Sequence, residues 1–407
     1  MRIYFLAHRI PHPPDKGEKI RAYHQLRHLA RSHEVTLATH VESKDDLAGI
    51  TALERWCERI DWAPRPTGPR MKIRLGTALL RGEALSFAAF RTGALERKVR
   101  AGLRRDNPDV VFCYGAAMAP YVMHHTSARR VIDFVDADSA KWSALATRGP
   151  LHLKKLYAQE ARRVVRAEAR ILSELDQAIV ACEGERNDLG GGPEARAHSS
   201  AAIAVIGNGV DLDYFHPDRQ GAVPIAEREP MLVFTGVMDY PPNVDGMVRF
   251  VREVWPRVQA DLPPARLVIV GRHPTRNVRR LAAAPGVSVT GGVPDVRPYL
   301  SRATAAVVPL HLSRGVQNKL LEAAAMGLPA VVSSRVAGGT NLEPGRDLIV
   351  ADDPGRCAKS VLRLLNDRSF AAELGARARR AVEEHHRWDP ILERFERLLL
   401  GGGEVDA

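Results

Sequence analysis

The segment Ser313–Ser334, SRGVQNKLLEAAAMGLPAVVSS, reads as a glycine-containing turn, a short helix and a buried strand. Immediately upstream, Ala305–Leu310 (AAVVPL) is an apolar run of strand length, and Gly315 opens the turn that follows it. Gln317 or Asn318 is placed to cap a helix whose Leu320, Leu321, Ala324 and Ala325 face a sheet. Gly327 ends that helix and Pro329 begins the next segment. A turn of this type aims unpaired backbone N–H groups and the positive end of a helix at one point, which suits a phosphate. Lys319, in the first turn, adds a full positive charge, and Glu322, one turn on, can accept hydrogen bonds from sugar hydroxyls. Charges three apart are also common on exposed helix faces, so these residues alone leave a solvated Lys–Glu pair open.

The neighbouring sequence repeats the strand-then-helix pattern. From Met231 onward, strands are expected at 231–235, 266–270, 287–290, 305–309, 330–333 and 348–350, with helical stretches between, as in a parallel sheet covered on both faces. Gly236 and Gly271 each follow a strand, where backbone must pass close to a ligand, and Arg272 either meets a diphosphate there or is an ordinary surface arginine. The first half begins with a strand over 2–7 and a loop, His8–Lys16, that Pro11, Pro13 and Pro14 keep from being helical. Gly17 permits a tight turn into a helix bearing Ile20, Tyr23, Leu26 and Leu29, and Glu34–Thr39 is the next strand. This βαβ unit places its loop at the carboxyl edge, where open α/β sheets bind ligands. It lacks G-x-G-x-x-G, so no dinucleotide cofactor is indicated.

The Lys319–Val332 stretch resembles the donor-site signature of retaining GT-B glycosyltransferases, specifically glycosyltransferase family 4. Lys319, Glu322, Ala323, Ala325, Gly327 and Pro329 match its K-x-x-E-A-x-A-x-G-x-P-V-V pattern, with the valine pair, Val331 and Val332, one place further on. The family's first Glu, eight residues before the second, is replaced by Arg314. The form RGVQNK…E is similar to sugar transferases associated with exosortase (PEP-CTERM) exopolysaccharide clusters. Asn208-Gly209-Val210-Asp211 with Phe215 and Pro217 resembles the family's hallmark between its two domains, and Pro13, Pro14, Gly17 and Arg21 resemble its first loop. Most of the family carries an Arg and a Lys after the first strand of the second domain, where this chain has Val237-Met238-Asp239-Tyr240. Lys319 and Arg272 are then expected to carry more of the phosphate charge, or Arg314 to substitute.

The resemblance implies an α/β GT-B fold, with two Rossmann-like domains whose parallel sheets face a central cleft. Residues 1–208 would form the acceptor-side domain and 225–387 the nucleotide-sugar domain, with a helix at about 388–400 packing back on the first. It implies retaining transfer from a nucleotide-sugar donor to a glycan or lipid-linked glycan acceptor, with no cofactor and no metal. Donor-binding candidates are Gly17, Gly236, Arg272, Arg314, Gly315, Val316, Gln317, Lys319 and Glu322, and Lys319 would stabilise the leaving diphosphate. The loop after the strand Arg130–Val135 faces the acceptor in that family, which makes Asp136 the candidate for orienting or deprotonating its hydroxyl, in competition with Asp133 and Asp138. The triplet Asp136-Ala137-Asp138, like Asp211-Leu212-Asp213, is similar to the metal-holding D-x-D of GT-A enzymes, but Asp after a strand is also a common helix cap. Two rivals remain: a GT-B nucleotide-sugar 2-epimerase and a non-catalytic nucleotide-sugar-binding protein.

At 407 residues the chain suits two domains with separate cores. Its four cysteines are far apart, with no CxxC pair, as expected of a reduced cytoplasmic chain. The apolar start, Ile3–Ala7, is too short for a signal peptide, and no stretch approaches a membrane span. Net charge is +11 and uneven: Arg65–Arg105 holds eleven Lys/Arg against Glu83 and Glu96, interleaved with Ile73, Leu75, Leu79, Leu80 and Phe87. Such basic amphipathic helices lie on anionic membrane surfaces, so a peripheral position on the inner face of the cytoplasmic membrane is expected. A solvated helical hairpin is the alternative. No nucleic-acid-binding motif accompanies the basic stretch.

Overall fold

Continuous apolar runs such as RIYFLA and MLVFT are buried on both faces and form the central strands of two all-parallel sheets. The computed structural model describes residues 1–125, 127–148, 151–192, 201–220, 223–312 and 315–402. The chain divides into one unit of Met1–Gly207 with Asp389–Ala407 and another of Asn208–Trp388.

The first unit holds β1 (Arg2–Ala7), β2 (Glu34–Val41), β3 (Arg59–Pro64), β4 (Val110–Tyr114), β5 (Arg129–Asp133), β6 (Gln177–Val180) and β7 (Ala202–Val205). They lie in the order β3-β2-β1-β4-β5-β6-β7. The loop after β1 leads into the Gly17–Leu29 helix, and both β1 and β4 sit at the middle of the sheet. The Trp388–Leu399 helix closes this unit's core: the Phe395 ring meets Phe112 edge-on at 5.1 Å, and Glu396 accepts from His28 and His33, each at 2.7 Å.

The second unit holds β8 (Met231–Thr235), β9 (Arg266–Val270), β10 (Val287–Gly291), β11 (Ala305–Val308), β12 (Ala330–Val332) and β13 (Ile349–Val350), in the order β10-β9-β8-β11-β12-β13. These are the strands that the alternating pattern predicts. The sequence order reverses between β8 and β11, so the loops after those strands part at a switch point, the usual ligand position in open α/β sheets. The helix that follows β11, Asn318–Ala325, ends in Gly327 at φ +65°. The Arg368–His385 helix packs there so closely that a Cβ on its Gly375 would lie 2.0 Å from the Gly327 carbonyl oxygen.

The basic stretch is three helices, Gly68–Leu80, Leu85–Ala88 and Gly93–Asp106. Only part of its charge faces outward. Arg65 pairs with Glu42, Arg91 and Arg100 with Glu96, and Arg105 with Asp106, while Lys98 Nζ donates to the Trp62 carbonyl at 2.7 Å. Arg74 Nε donates to the Ala88 carbonyl at 2.6 Å and holds the first two helices together. The Gly68–Leu80 helix buries only Ala78, which leaves Ile73 68% and Leu80 89% exposed among Arg70, Lys72 and Arg81. Among the described residues, no helix is long and apolar enough to cross a membrane.

Candidate active site

The loop after β11 is shaped at Gly315, which sits at φ +66°, a conformation that favours glycine. Gly339 backs directly onto it: a Cβ there would stand 2.3 Å from the Gly315 carbonyl oxygen. Ser313 and Arg314 lie outside the described residues, so the position that replaces the expected first Glu has no structural account.

The Asn318–Ala325 helix starts without the side-chain cap that the sequence suggests. Gln317 occupies the N-cap position in extended conformation, but its side chain makes no cap bond. Its Oε1 instead accepts from Lys319 Nζ at 3.1 Å, while Asn318 Oδ1 accepts from Asn208 Nδ2 at 2.9 Å. Both residues are thus drawn into lateral contacts, which leaves the first backbone N–H groups of the helix uncapped by them. Uncapped N–H groups at such an end are suited to an anion.

Lys319 Nζ also donates to Asn243 Oδ1 at 3.2 Å and stands 5.4 Å from the Phe234 ring centre. Asn243 in turn donates from Nδ2 to the Val237 carbonyl at 2.8 Å, which fixes its amide so that the oxygen faces the lysine. Gly236 lies under this cluster: a Cβ on it would come 2.8 Å from Asn243 Nδ2 and 3.3 Å from Lys319 Cε. Gly236 is itself pressed by Gly271, whose Cβ would fall 1.6 Å from the Gly236 carbonyl oxygen, so the ends of β8 and β9 meet backbone to backbone. Arg272 follows, and its carbonyl accepts from Met238 N–H at 2.9 Å. Gly236, Gly315, Val316, Gln317, Lys319 and Glu322 therefore share the carboxyl end of one sheet.

Surrounding protein lowers Lys319 to about 8, against the opposing pull of Glu322, and raises Glu322 to about 7, against the opposing pull of Lys319. Both side chains keep partial contact with water, which screens the pair and moderates these shifts. Among the described residues, no donor hydrogen-bonds the Glu322 carboxylate, so it is open to an incoming hydroxyl.

In the first unit the three competing aspartates separate. Asp133 ends β5 fully buried, where it accepts from Arg21 Nε at 2.7 Å, Gln25 Nε2 at 2.9 Å and Val135 N–H at 3.0 Å. It is occupied within the core. Asp138 begins the Asp138–Arg148 helix, 3.9 Å from Lys141. Asp136 alone of the three stands exposed at the carboxyl edge. Gly17 lies in this unit too, as the first residue of its helix and exposed. Asp211 of the second D-x-D accepts from the N–H groups of Asp213 and Tyr214, so that triplet forms a turn. Among the described residues, no group of three His, Cys, Asp or Glu side chains could hold a metal ion.

Asn243 is the participant in this site that sequence reading misses. Asn243 had a usable signal: Pro241-Pro242 after Gly236 marks a helix start, and that puts the next polar side chain beside the loop after β8.

Residues 229–367 match the family described as Glycosyl transferases group 1. A GDP-mannose-dependent alpha-(1-6)-phosphatidylinositol monomannoside mannosyltransferase of Mycobacterium tuberculosis is 27% identical over 222 residues, which span 50% of this chain and 57% of that protein. Among solved structures, a sucrose-phosphate synthase from Thermosynechococcus elongatus superposes with a TM-score of 0.72 at 18% identity, covering 98% of each chain. Anabaena HepE in complex with UDP-glucose does so at 0.65 and 13% identity, covering 98% of this chain and 99% of that one. The two parallel-sheet units have the GT-B fold of these structures, and the matched residues 229–367 all fall within the second unit.

Proposed function

We propose that the chain is a retaining, family 4 glycosyltransferase, similar in motif to the exosortase-associated sugar transferases. In this reading the second unit binds a nucleotide sugar, and the first binds a glycan or lipid-linked glycan acceptor during synthesis of an exopolysaccharide or other cell-surface polysaccharide. The observation that carries this reading is Lys319, held by Asn243 and Gln317 beside an uncapped helix start, with Glu322 one turn on. It is supported by HepE, which binds UDP-glucose, and by the GDP-mannose-dependent phosphatidylinositol monomannoside mannosyltransferase.

In the transition state, negative charge gathers on the departing diphosphate. Lys319 and the backbone N–H groups face that charge, and stabilising it is the dominant contribution expected of this site. Asp136 orients the acceptor hydroxyl. The departing phosphate itself can take the hydroxyl proton, so the reaction does not require a protein base. Turnover of nucleotide sugars with and without a glycan acceptor tests the assignment. Product that depends on acceptor supports transfer, an altered nucleotide sugar without acceptor marks a 2-epimerase, and stabilisation by a nucleotide sugar without turnover marks a binding protein.

Glu322→Ala is expected to weaken donor binding by about 1–3 kcal/mol, because it removes an acceptor for ribose hydroxyls. Isothermal titration of the folded variant checks this, and an unchanged Kd would remove Glu322 from the donor site.

The Gly68–Leu80 helix is proposed to rest on an anionic membrane surface through Ile73, Leu79, Leu80 and the outward basic residues. Each Lys or Arg near such a surface contributes about 1 kcal/mol, so Arg70, Lys72 and Arg81 together supply roughly 3 kcal/mol, enough for reversible, salt-sensitive binding. Arg74 is excluded because it holds Ala88. Co-sedimentation with anionic but not neutral liposomes is expected, and it should be lost when Arg70, Lys72 and Arg81 are changed to Ser. Sedimentation of that variant like the parent would make the helix a solvated face.

A further inference from the structure

The loops after β5 and β6 leave the first sheet side by side. Asp133 pairs with Ile179 across the two strands, and Phe134 N–H donates to the Ile179 carbonyl at 2.9 Å. Three residues beyond Asp133 stands Asp136, and five beyond Val180 stands Glu185. Between Asp133 and Asp136 the chain makes an unusual turn. Val135, a β-branched residue, is held at φ +67°, a region such side chains rarely enter and which costs of order 1–3 kcal/mol. The turn is fixed on both sides, by Val135 N–H to Asp133 Oδ1 at 3.0 Å and Asp136 N–H to the Phe134 carbonyl at 2.7 Å. Backbone strain maintained this way sets the position of the Asp136 side chain.

Glu185 is 2% exposed, in the short Glu183–Asp188 helix. Its Oε2 accepts from Ala181 N–H at 3.1 Å, while its Oε1 is buried and, among the described residues, receives no bond from a backbone or side-chain N–H or hydroxyl. The Glu185 carboxyl group is itself within hydrogen-bonding reach of the Asp136 carboxyl group. Two carboxyl groups bond to one another only through a proton, and neighbouring carboxylates do not both stay ionised. The remaining charges around them are Arg21 on the Glu185 side, and Asp138, Lys141 and Glu18 on the Asp136 side, with the Cys182 thiol also close to both. Arg21 is already committed to Asp133 and the Gly207 carbonyl. Burial, followed by Asp136, pushes Glu185 well above the ordinary carboxylate range. Asp136 is also pushed up, first by its surroundings and then by Asp138, but its contact with water screens that push.

We propose that Glu185 is a positioning residue for Asp136. It carries the pair's proton and donates it in a hydrogen bond to the Asp136 carboxylate, which stays charged and turned to solvent to accept a hydrogen bond from the attacking acceptor hydroxyl. The acceptor's part in this rests on the transferase reading above, whereas the shared proton does not. The proton remains on Glu185 throughout, and no other group is oxidised, reduced or transferred by the pair.

The test compares the parent with E185Q, E185A and D136N. Difference infrared spectroscopy at pH 7 should show a protonated carboxyl C=O stretch that disappears in E185Q. Comparison between variants is needed because burial also raises Glu168 and Glu322 to about 7. E185Q retains an N–H donor toward Asp136 and is expected to keep kcat within about threefold of the parent, while E185A loses roughly ten- to a hundredfold, the worth of a hydrogen bond to a charged group. Lys319 titrates at about 8 in the free enzyme, so the parent's alkaline fall in kcat/KM for the donor should reflect two groups and that of E185Q only one. A parent-like E185A, an E185Q as poor as E185A, or a carboxyl band unchanged in E185Q each overturns the proposal. If the band disappears in E185Q but the parent transfers no sugar to any acceptor, the shared proton stands and the transferase reading is what fails.

Discussion

Lys319→Ala should lower kcat by about a hundredfold or more while donor affinity falls far less. The diphosphate carries more negative charge as the glycosidic bond breaks than it does in the bound donor, so a cation held beside it contributes most in the transition state. Lys319 is held in this way: Asn243 and Gln317 each accept one of its protons, and neither bears a charge that would neutralise it. Its ammonium sits at about 8 because its surroundings disfavour the charged form, while Glu322 favours it. Raising the pH through 8 removes that proton from the free enzyme, so kcat/KM for the donor should fall on the alkaline side in the parent and lose this limb in Lys319→Ala. Steady-state kinetics with saturating acceptor decides the matter. A higher KM at unchanged kcat would leave Lys319 a ground-state binding residue.

Arg21→Ala is the other substitution with a large expected effect, and it acts on stability. Arg21 and Asp133 are both buried, and the carboxylate's remaining bonds come from neutral groups, Gln25 and the Val135 N–H. Removing the guanidinium leaves a buried charge without its counter-ion, at a cost of about 3–5 kcal/mol. In denaturant unfolding, the midpoint of the transition assigned to the first unit should drop accordingly. Adding Asp133→Asn to Arg21→Ala should recover much of that loss, because the stranded charge goes with it. A single Arg21→Ala variant with an unaltered midpoint would mean that the pair is hydrated.

The strands were legible because both sheets are buried on two faces, which writes them as unbroken apolar runs. Lys319 and Glu322 were legible for a related reason: a turn, a helix start and two charges fall within ten residues. What could not be read was partnership over distance. Nothing local links Asn243 to Lys319, 76 residues away, or Arg21 to Asp133, 112 residues away. Three aspartates within six residues look alike in sequence, and only the register of β5 turns Asp133 inward and leaves Asp136 outside. The basic stretch misled in part, since composition counts Arg65 and Arg74 alike with Arg70, although the first two are taken up by Glu42 and Ala88. The helix caps misled for the opposite reason: Gln317 and Asn318 have the right chemistry but are claimed by Lys319 and Asn208.

The loop and helix around Lys319 are braced at both ends by glycines from elsewhere in the second unit, Gly339 against Gly315 and Gly375 against Gly327. Neither contact has room for a single methyl group, so the backbone between them has almost no slack. Insertions, deletions or loop grafts in this interval should therefore be poorly tolerated in any attempt to breed a new sugar preference. Diversity is better introduced at Val316, which is only partly covered and can change the shape and polarity of the surface without moving the main chain or releasing Lys319 from Gln317.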